Sequence, residues 1–191
     1  MQDLPKRTKR CLNLINATYY VPGDIVELGV AEGRTSLALG LWLKENGLNK
    51  RVYSFDTFSG LPYAGGKLDG DLKKGECNYS LDLFLSKRQE LELEDIVIPI
   101  VGLVETTLPN FLLDHLVSFA WLDMDLYAPT SLATRLLDPN LCLGAIIGYH
   151  DYGFHRTPGI KVVADQELPK RSYCQIADSS YDSIFFTKIK L

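Results

Sequence analysis

Residues 23–33 read GDIVELGVAEG and residues 51–56 read RVYSFD, and these two stretches decide the fold. Each is an apolar run that ends with an acid, Glu27 in the first and Asp56 in the second. A glycine-bearing turn and a segment with helical periodicity lie between them. This order is typical of a nucleotide-binding βαβ unit, which brings ligand-binding groups to one edge of a parallel sheet.

The turn after the first strand lacks the G-x-G-x-x-G spacing of dinucleotide binders. Gly29 and Gly33 would let the backbone approach a ligand closely, but Glu27 would repel a pyrophosphate. An acid at this position suits a cationic ligand, such as the ammonium of the methionine moiety of S-adenosylmethionine. Asp56 is placed to accept hydrogen bonds from both ribose hydroxyls, so the pattern predicts S-adenosylmethionine as cofactor. The alternative is a helix-entry turn in which Glu27 caps neighbouring amides.

Four further residues complete the predicted cofactor site. Thr35 and Ser36 lie in the first turn of the predicted helix, where their hydroxyls could reach the carboxylate of the methionine moiety. Thr57 and Phe58 directly follow Asp56 and are assigned to the same site.

Apolar runs alternate with helical patterns along the chain, which indicates α/β architecture. The predicted strands are 24–28, 51–55, 96–101, 118–122, 144–149, 172–177 and 183–188, and the predicted helices are 5–20, 33–46, 80–92, 106–115, 129–138 and 158–168. The last two strands are so close that only a hairpin can join them. We therefore predict a Rossmann-like class I methyltransferase fold, with a seven-stranded, mostly parallel sheet, a C-terminal antiparallel hairpin and helices on both faces.

Composition bounds the protein class. The 191 residues suit a single domain, 1–191, and the 46% apolar and 23% charged residues are those of ordinary globular proteins. The net charge is −4, and the basic run Lys6–Arg10 is interpreted as a solvated helix face, so no nucleic-acid partner is expected. No apolar stretch suggests a membrane span or a signal peptide, and four scattered cysteines fit reduced thiols. These features predict a cytoplasmic protein without a membrane partner.

The segment 57–95 breaks the regular alternation, and its first half is rich in glycine. A loop of this length in a compact domain is usually functional or disordered. Because it follows Asp56, it should lie at the mouth of the cofactor crevice. We predict that it is a lid or substrate-binding insertion, and the alternative is a mobile surface loop.

Polar side chains follow two neighbouring predicted strands. Asp123 and Asp125 come after the fourth strand, and His150 and Asp151 come after the fifth. The carboxyl ends of parallel strands meet at the edge where ligands bind, so these groups could converge on one hard cation such as Mg²⁺. For Asp125 alone, packing against the following turn is the favoured interpretation.

Three stretches carry a family resemblance: PGDIVELGVAEGRTS, YSFDTFSGLP and LDMDLYAPTSLATRLLDPNLCLGAIIGYHDYG. Over roughly residues 20–168 the chain resembles the macrocin O-methyltransferases, which methylate sugar hydroxyls in natural-product pathways. The resemblance implies S-adenosylmethionine as donor, usually Mg²⁺ as a metal cofactor, a small hydroxylated acceptor and association into a homo-oligomer. It also implies that Asp123 binds the metal, contacts the cofactor and is a candidate general base, and that Asp151 is the second acid of a metal-binding pair.

His150 departs from the family pattern, because it stands where relatives carry the first acid of that pair. Imidazole suits zinc, iron, manganese or nickel better than magnesium. Three roles are open: a ligand for a softer metal, a metal-independent general base, or a structural residue with metal affinity weakened. Leu103 likewise replaces a commonly acidic position near adenine, for which Glu105 could substitute.

The leading hypothesis from the sequence is thus a metal-assisted, S-adenosylmethionine-dependent O-methyltransferase, with Asp123 and His150 as catalytic candidates. The first alternative is a methyltransferase-like domain that binds the cofactor without catalysis, as a scaffold or regulatory partner. The second is a nicotinamide-dependent oxidoreductase, against which the missing glycine spacing and the predicted hairpin both count.

Overall fold

A computed structural model describes residues 4–63, 65–176 and 182–191. The strands are β1 (Asp24–Leu28), β2 (Val52–Asp56), β3 (Val97–Val101), β4 (Val117–Leu122), β5 (Leu141–His150), β6 (Tyr173–Gln175) and β7 (Ser183–Lys188). The α-helices are α1 (Lys6–Ile15), α2 (Arg34–Glu45), α3 (Leu81–Glu90), α4 (Val104–Phe111), α5 (Tyr127–Leu137) and α6 (Pro158–Val162). Short 3₁₀ turns cover Asn16–Thr18 and Asp138–Asn140, and a π-turn covers Val163–Glu167.

The strands form one sheet in the order β3-β2-β1-β4-β5-β7-β6. The first five are parallel, and β7 runs antiparallel to both β5 and β6. The predicted mostly parallel sheet with a C-terminal antiparallel pair is confirmed, although the link at 177–181 lies outside the described residues. The chain order reverses between β1 and β4, and this switch point opens the crevice where ligands of such sheets bind.

Apolar side chains cover both faces of the sheet, as predicted. Helices α4, α5 and α6 cover one face, where they pack on residues of β1, β2, β4 and β5, and α1, α2 and α3 cover the other face, where they pack on the same strands and on β3. Within the described residues, none of the helices combines the length and apolar character needed to cross a lipid bilayer.

Most predicted elements are present, with shifted ends. The predicted helix 5–20 leaves α geometry after Ile15, and β5 begins at Leu141 rather than at Gly144. Gly144 adopts a φ of 83°, and the register of β5 against β4 is irregular around it. Pro99 lies in β3, which is an edge strand of the sheet. Proline lacks an N–H group and is tolerated in an edge strand, because one side of that strand has no neighbour to bond.

The segment made up of residues 57–63 and 65–80 lies over the carboxyl ends of the strands and is held in place by several contacts. Asp69, which is buried, accepts hydrogen bonds from the backbone N–H groups of Gly66 and Tyr127 at 2.7 and 2.5 Å. The guanidinium of Arg156 contacts Asp71 at 2.6 Å and Glu76 at 3.0 Å. These contacts join the segment to the chain around α5 and α6, so it forms a roof over the crevice.

Candidate active site

A cavity of about 230 Å³ opens at the carboxyl edge of the sheet. Its wall residues come from the strand ends, from the roof segment and from α1, and include Gly29, Asp56, Thr57, Tyr79, Asp123, Asp125, His150 and Asp151. A second cavity of about 190 Å³ lies beside it, under α1. Its wall residues include Glu27, Glu32, Arg34 and Thr35, and it shares Arg7, Ala31, Tyr79 and Asp123 with the first.

Asp56 ties together the two turns that form the floor of the larger cavity. Its Oδ2 accepts hydrogen bonds from the N–H groups of Val30 at 2.7 Å and Ala31 at 3.0 Å, and its Oδ1 accepts one from Phe58 at 2.8 Å. A carboxylate accepts about four hydrogen bonds in all. Three of these positions are taken by backbone N–H groups, which leaves one acceptor position open on Oδ1.

Glu27 is a buried acid at the end of β1, with only 2% of its surface exposed. The Ser36 hydroxyl donates a hydrogen bond to its Oε2 and lies 2.6 Å from the Ser54 hydroxyl. Burial raises the pKa of Glu27 to about 8, against the opposing effect of the Ser36 hydrogen bond. Ser36 is engaged beneath the turn and lies outside both cavities, so it holds Glu27 in place instead of reaching a ligand as predicted.

Two other predicted cofactor residues support the site from behind. Gly33 adopts a φ of 83°, and a Cβ there would lie 2.3 Å from the Phe84 ring of α3. Phe58 packs on the same ring, with 5.6 Å between centroids, while its amide binds Asp56. Glycine is therefore required at position 33 by the close packing of α3, not by the approach of a ligand. Of Thr57 and Phe58, only Thr57 lines a cavity.

Helix α1 carries a residue that the sequence prediction missed. Arg7 lines both cavities, and its Nε lies 3.7 Å from Asp123 Oδ2. The helix is fixed by a contact of 2.9 Å between the hydroxyls of Thr8 and Thr35, both buried. The signal was available, since Thr8, Cys11 and Ile15 recur at helical spacing and place Arg7 at the margin of the buried face.

Asp123, His150 and Asp151 meet at the ends of β4 and β5. His150 Nδ1 lies 2.8 Å from Asp123 Oδ1 and 3.0 Å from Asp151 Oδ1. Neither contact has hydrogen-bond geometry, so this buried nitrogen has no aligned hydrogen-bond partner among the described residues. Neighbouring ligands of an ion bound at about 2.1 Å lie about 3 Å apart. The orphaned nitrogen and the two oxygens therefore fit a shared divalent cation.

The same neighbours set the charge of His150 when no cation is bound. Burial lowers the pKa of the imidazole, but the carboxylates of Asp123 and Asp151 outweigh it and raise the pKa to about 10. The ring is then protonated at neutral pH and cannot accept a proton. A protonated imidazole argues against His150 as a metal-independent general base, which was one of the three roles that the sequence left open.

Asp125 belongs to the cavity wall, contrary to the favoured packing interpretation. Its φ is 64°, and that of Asp151 is 56°, an uncommon conformation for residues other than glycine that concentrates at functional sites. Its Oδ2 lies 3.6 Å from the Cys77 thiol. Burial, together with the charges of Asp123 and Asp151, raises the pKa of Asp125 well above its usual range.

Of the remaining candidates, some line the larger cavity and others lie outside it and contact residues around it. Leu103 and Glu105 line the larger cavity on the side of β3, where the sequence placed adenine, and Tyr63 donates a hydrogen bond of 3.4 Å to Glu105. Tyr127 and Tyr152 lie outside the cavities and bind acids of the chain that follows α6, Glu167 and Asp165.

Comparison with known proteins gives a family match over most of the chain. The sequence model of the macrocin-O-methyltransferase (TylF) family matches residues 5–168. A relative from Streptomyces olivaceus, 8-demethyl-8-(2,3-dimethoxy-alpha-L-rhamnosyl)-tetracenomycin-C 4'-O-methyltransferase, is 33% identical over 141 residues. That match covers 69% of this chain and 54% of the relative, so the chain spans about half the length of the curated protein it matches.

Solved structures share the fold. The calicheamicin methyltransferase CalS11 superposes with a TM-score of 0.80 at 20% identity, over 95% of this chain and 78% of that one. The O-methyltransferase NovP gives 0.82 at 22% identity, over 95% and 80%. An O-methyltransferase from Bacillus cereus in complex with SAH gives 0.65 at 16% identity, over 100% and 84%. At these identities the likeness establishes the class I methyltransferase architecture.

Proposed function

This chain belongs to the macrocin O-methyltransferase family, and on that premise we propose that it transfers a methyl group from S-adenosylmethionine to a hydroxyl of a small molecule, such as a sugar or glycoside natural product. One observation carries the proposal. Two adjoining cavities at the switch point between β1 and β4 share Asp123 as a wall residue. One cavity offers groups for the donor, and the other places acids beside the position that an acceptor would take.

The smaller cavity is suited to the α-amino acid end of the donor. Glu27, buried at the end of β1, offers a negative charge to the ammonium. Arg7 and Arg34 offer guanidinium groups to the carboxylate. Asp56 offers its remaining acceptor position to a ribose hydroxyl, which places adenine towards Leu103.

The acid cluster is suited to activating the acceptor. S-adenosylmethionine, when bound, supplies a methyl group on a sulfonium, and a divalent cation, when bound, supplies charge that lowers the pKa of a nearby hydroxyl. Asp123 holds its Oδ1 towards His150, and its Oδ2 accepts the hydroxyl proton as the acceptor oxygen bonds to the methyl carbon and the carbon–sulfur bond breaks. Transfer is an in-line displacement, so orientation by the cavity walls contributes much of the rate.

The roof formed by residues 57–63 and 65–80 serves as the lid of this site. Tyr79 and Cys77 reach the cavity from it, and Asp69 and Arg156 fasten it to the rest of the chain. A roof in this position excludes water from the reacting groups. It also supplies side chains that discriminate among acceptors.

Calorimetric titration and a transfer assay test the proposed function. We expect S-adenosylmethionine and its demethylated product to bind, NAD not to bind, and rhamnosyl glycosides to gain an O-methyl group detectable by mass spectrometry. Absence of donor binding would overturn the proposal. Donor binding without transfer to any hydroxylated acceptor would favour a cofactor-binding domain without catalysis.

Donor affinity should depend on pH through Glu27. The raised pKa of about 8 means that the free protein holds a proton there at neutral pH. The ammonium of the donor favours the charged carboxylate, so binding releases this proton. Affinity should therefore rise up to about tenfold per pH unit between pH 6 and 8 and level off above 8.

Two substitutions isolate this effect in calorimetry. Glu27→Gln should bind the donor weakly with no pH slope. Glu32→Gln is the matched control, because Glu32 lines the same cavity but is paired with Arg34 at 2.8 Å and should keep the slope. A wild-type affinity that stays constant from pH 6 to 8 would contradict the assignment of Glu27 to the ammonium.

A further inference from the structure

We infer that the cation held by Asp123, His150 and Asp151 is a first-row transition-metal ion such as manganese, iron, cobalt or zinc, ligated through His150 Nδ1, rather than magnesium. The inference deepens the proposed function and rests on it, because it concerns the metal that would assist transfer. His150 thereby becomes the residue that determines metal specificity.

The surroundings of His150 favour ligation over a structural role. A structural histidine in the interior normally uses its ring nitrogens in hydrogen bonds, because an unpaired buried polar atom is costly. Nδ1 of His150 is buried and, within the described parts of the chain, makes no aligned hydrogen bond, although the carboxylate oxygens of Asp123 and Asp151 lie 2.8 and 3.0 Å away. An ion placed among these three atoms would give each of them a partner.

The ring is also held in position. His150 is the last residue of β5 and pairs with Ser183 of β7, so its backbone is fixed by the sheet. The Trp121 ring packs edge-on against the imidazole, with 5.8 Å between centroids. Only 14% of the side chain is exposed, which leaves little room for another orientation.

The donor set is poorly suited to magnesium. Mg²⁺ prefers oxygen ligands and binds largely through their charge, whereas imidazole suits manganese, iron, nickel and zinc. Two carboxylates and one neutral imidazole carry one negative charge fewer than three carboxylates would. A histidine at position 150, in place of the acid that relatives carry, therefore weakens the attraction for Mg²⁺ and adds a nitrogen that transition metals bind well.

Metal binding can be measured without donor or acceptor. The full chain, stripped with a chelator, is titrated calorimetrically with Mn²⁺, Co²⁺, Zn²⁺ and Mg²⁺, and Co²⁺ binding is also followed by visible absorption. Any site of this kind prefers transition metals to some degree, so the informative quantity is the ratio of Mn²⁺ to Mg²⁺ affinity in variants. We expect this ratio to fall by about tenfold or more in His150→Asp, through weaker Mn²⁺ and stronger Mg²⁺ binding.

His155→Asp is the matched control, since His155 is exposed on the loop after β5 and lines neither cavity. It should leave the ratio unchanged. His150→Gln provides a second variant without an added charge, and it should lose Mn²⁺ affinity without gaining Mg²⁺ affinity. Circular dichroism at each titration temperature verifies that the variants are folded.

An unchanged ratio in His150→Asp, or wild-type binding of Mg²⁺ as tight as that of Mn²⁺, would overturn the inference. Either result would leave the proposed function standing if methyl transfer still occurs. Conversely, tight Mn²⁺ binding that depends on His150, with no methyl transfer, would support the metal site and refute the proposed function.

Discussion

Asp123→Asn should lower the rate of methyl transfer by about 1000-fold or more, the range expected when a group that moves a proton is lost. Asparagine keeps the shape of the side chain but removes its charge. Asparagine cannot accept the hydroxyl proton. It also cannot balance the positive charges beside Asp123, where Arg7 Nε lies 3.7 Å from Oδ2 and His150 Nδ1 lies 2.8 Å from Oδ1. Donor affinity should change much less, because Glu27 and Asp56 provide the principal donor contacts in the proposed site.

Steady-state rates and calorimetric donor affinities for the same preparations test this expectation. Asp114→Asn is the control, because Asp114 is exposed and precedes β4, at the sheet edge opposite the cavity, and should have wild-type activity. If Asp123→Asn keeps activity within about tenfold of the wild type, Asp123 is neither the base nor an essential ligand. Asp125, which shares the cavity and has a raised pKa, would then be the next candidate base.

The fold could be predicted because its signals are local. The strand ending at Glu27, the glycine turn and the strand ending at Asp56 specify a βαβ unit within about 30 residues. The short link between the last two strands leaves only an antiparallel pair, as the register of β6 and β7 confirms. Element ends were less predictable, since β5 begins at Leu141, three residues before its predicted start at Gly144.

Topology predicted where the catalytic candidates would meet, and the family resemblance supplied the roles of Asp123 and Asp151. Asp123, His150 and Asp151 come directly after predicted strands, and neighbouring parallel strands bring such residues to one sheet edge. The structure places them together because β4 and β5 are adjacent. Asp125 was underrated because its place in the cavity depends on a backbone with φ of 64°, which the residue type does not reveal.

The supporting contacts could not be predicted, because they depend on which elements pack against the turn. The amides that bind Asp56 come from two separate turns, and one of them belongs to Ala31, whose φ is 51°. Gly33 is required by Phe84, which is 51 residues further along the chain. Arg7 reaches the cavity only because α1 packs on α2.

Gly29→Ala should destabilise the protein by about 4 kcal/mol or more, which would be exceptional for one methyl group. Gly29 has a φ of 88°, and a Cβ there would lie 2.0 Å from the carbonyl oxygen of Asp123. That oxygen belongs to the backbone, so relief requires the ends of β1 and β4 to separate. Such a movement displaces Asp123 itself, and methyl transfer and metal affinity should be lost together with stability.

Gly75→Ala separates the two causes of this effect. Gly75 has a similar φ of 84°, but nothing lies within 4 Å of a Cβ built there. Only the left-handed conformation opposes its substitution, at about 1–2 kcal/mol. In thermal unfolding we expect a melting temperature about 2–8 °C lower for Gly75→Ala and about 10 °C or more lower for Gly29→Ala. Equal shifts in the two variants would mean that backbone conformation, not the close approach of β1 to β4, is what requires glycine beside Asp123.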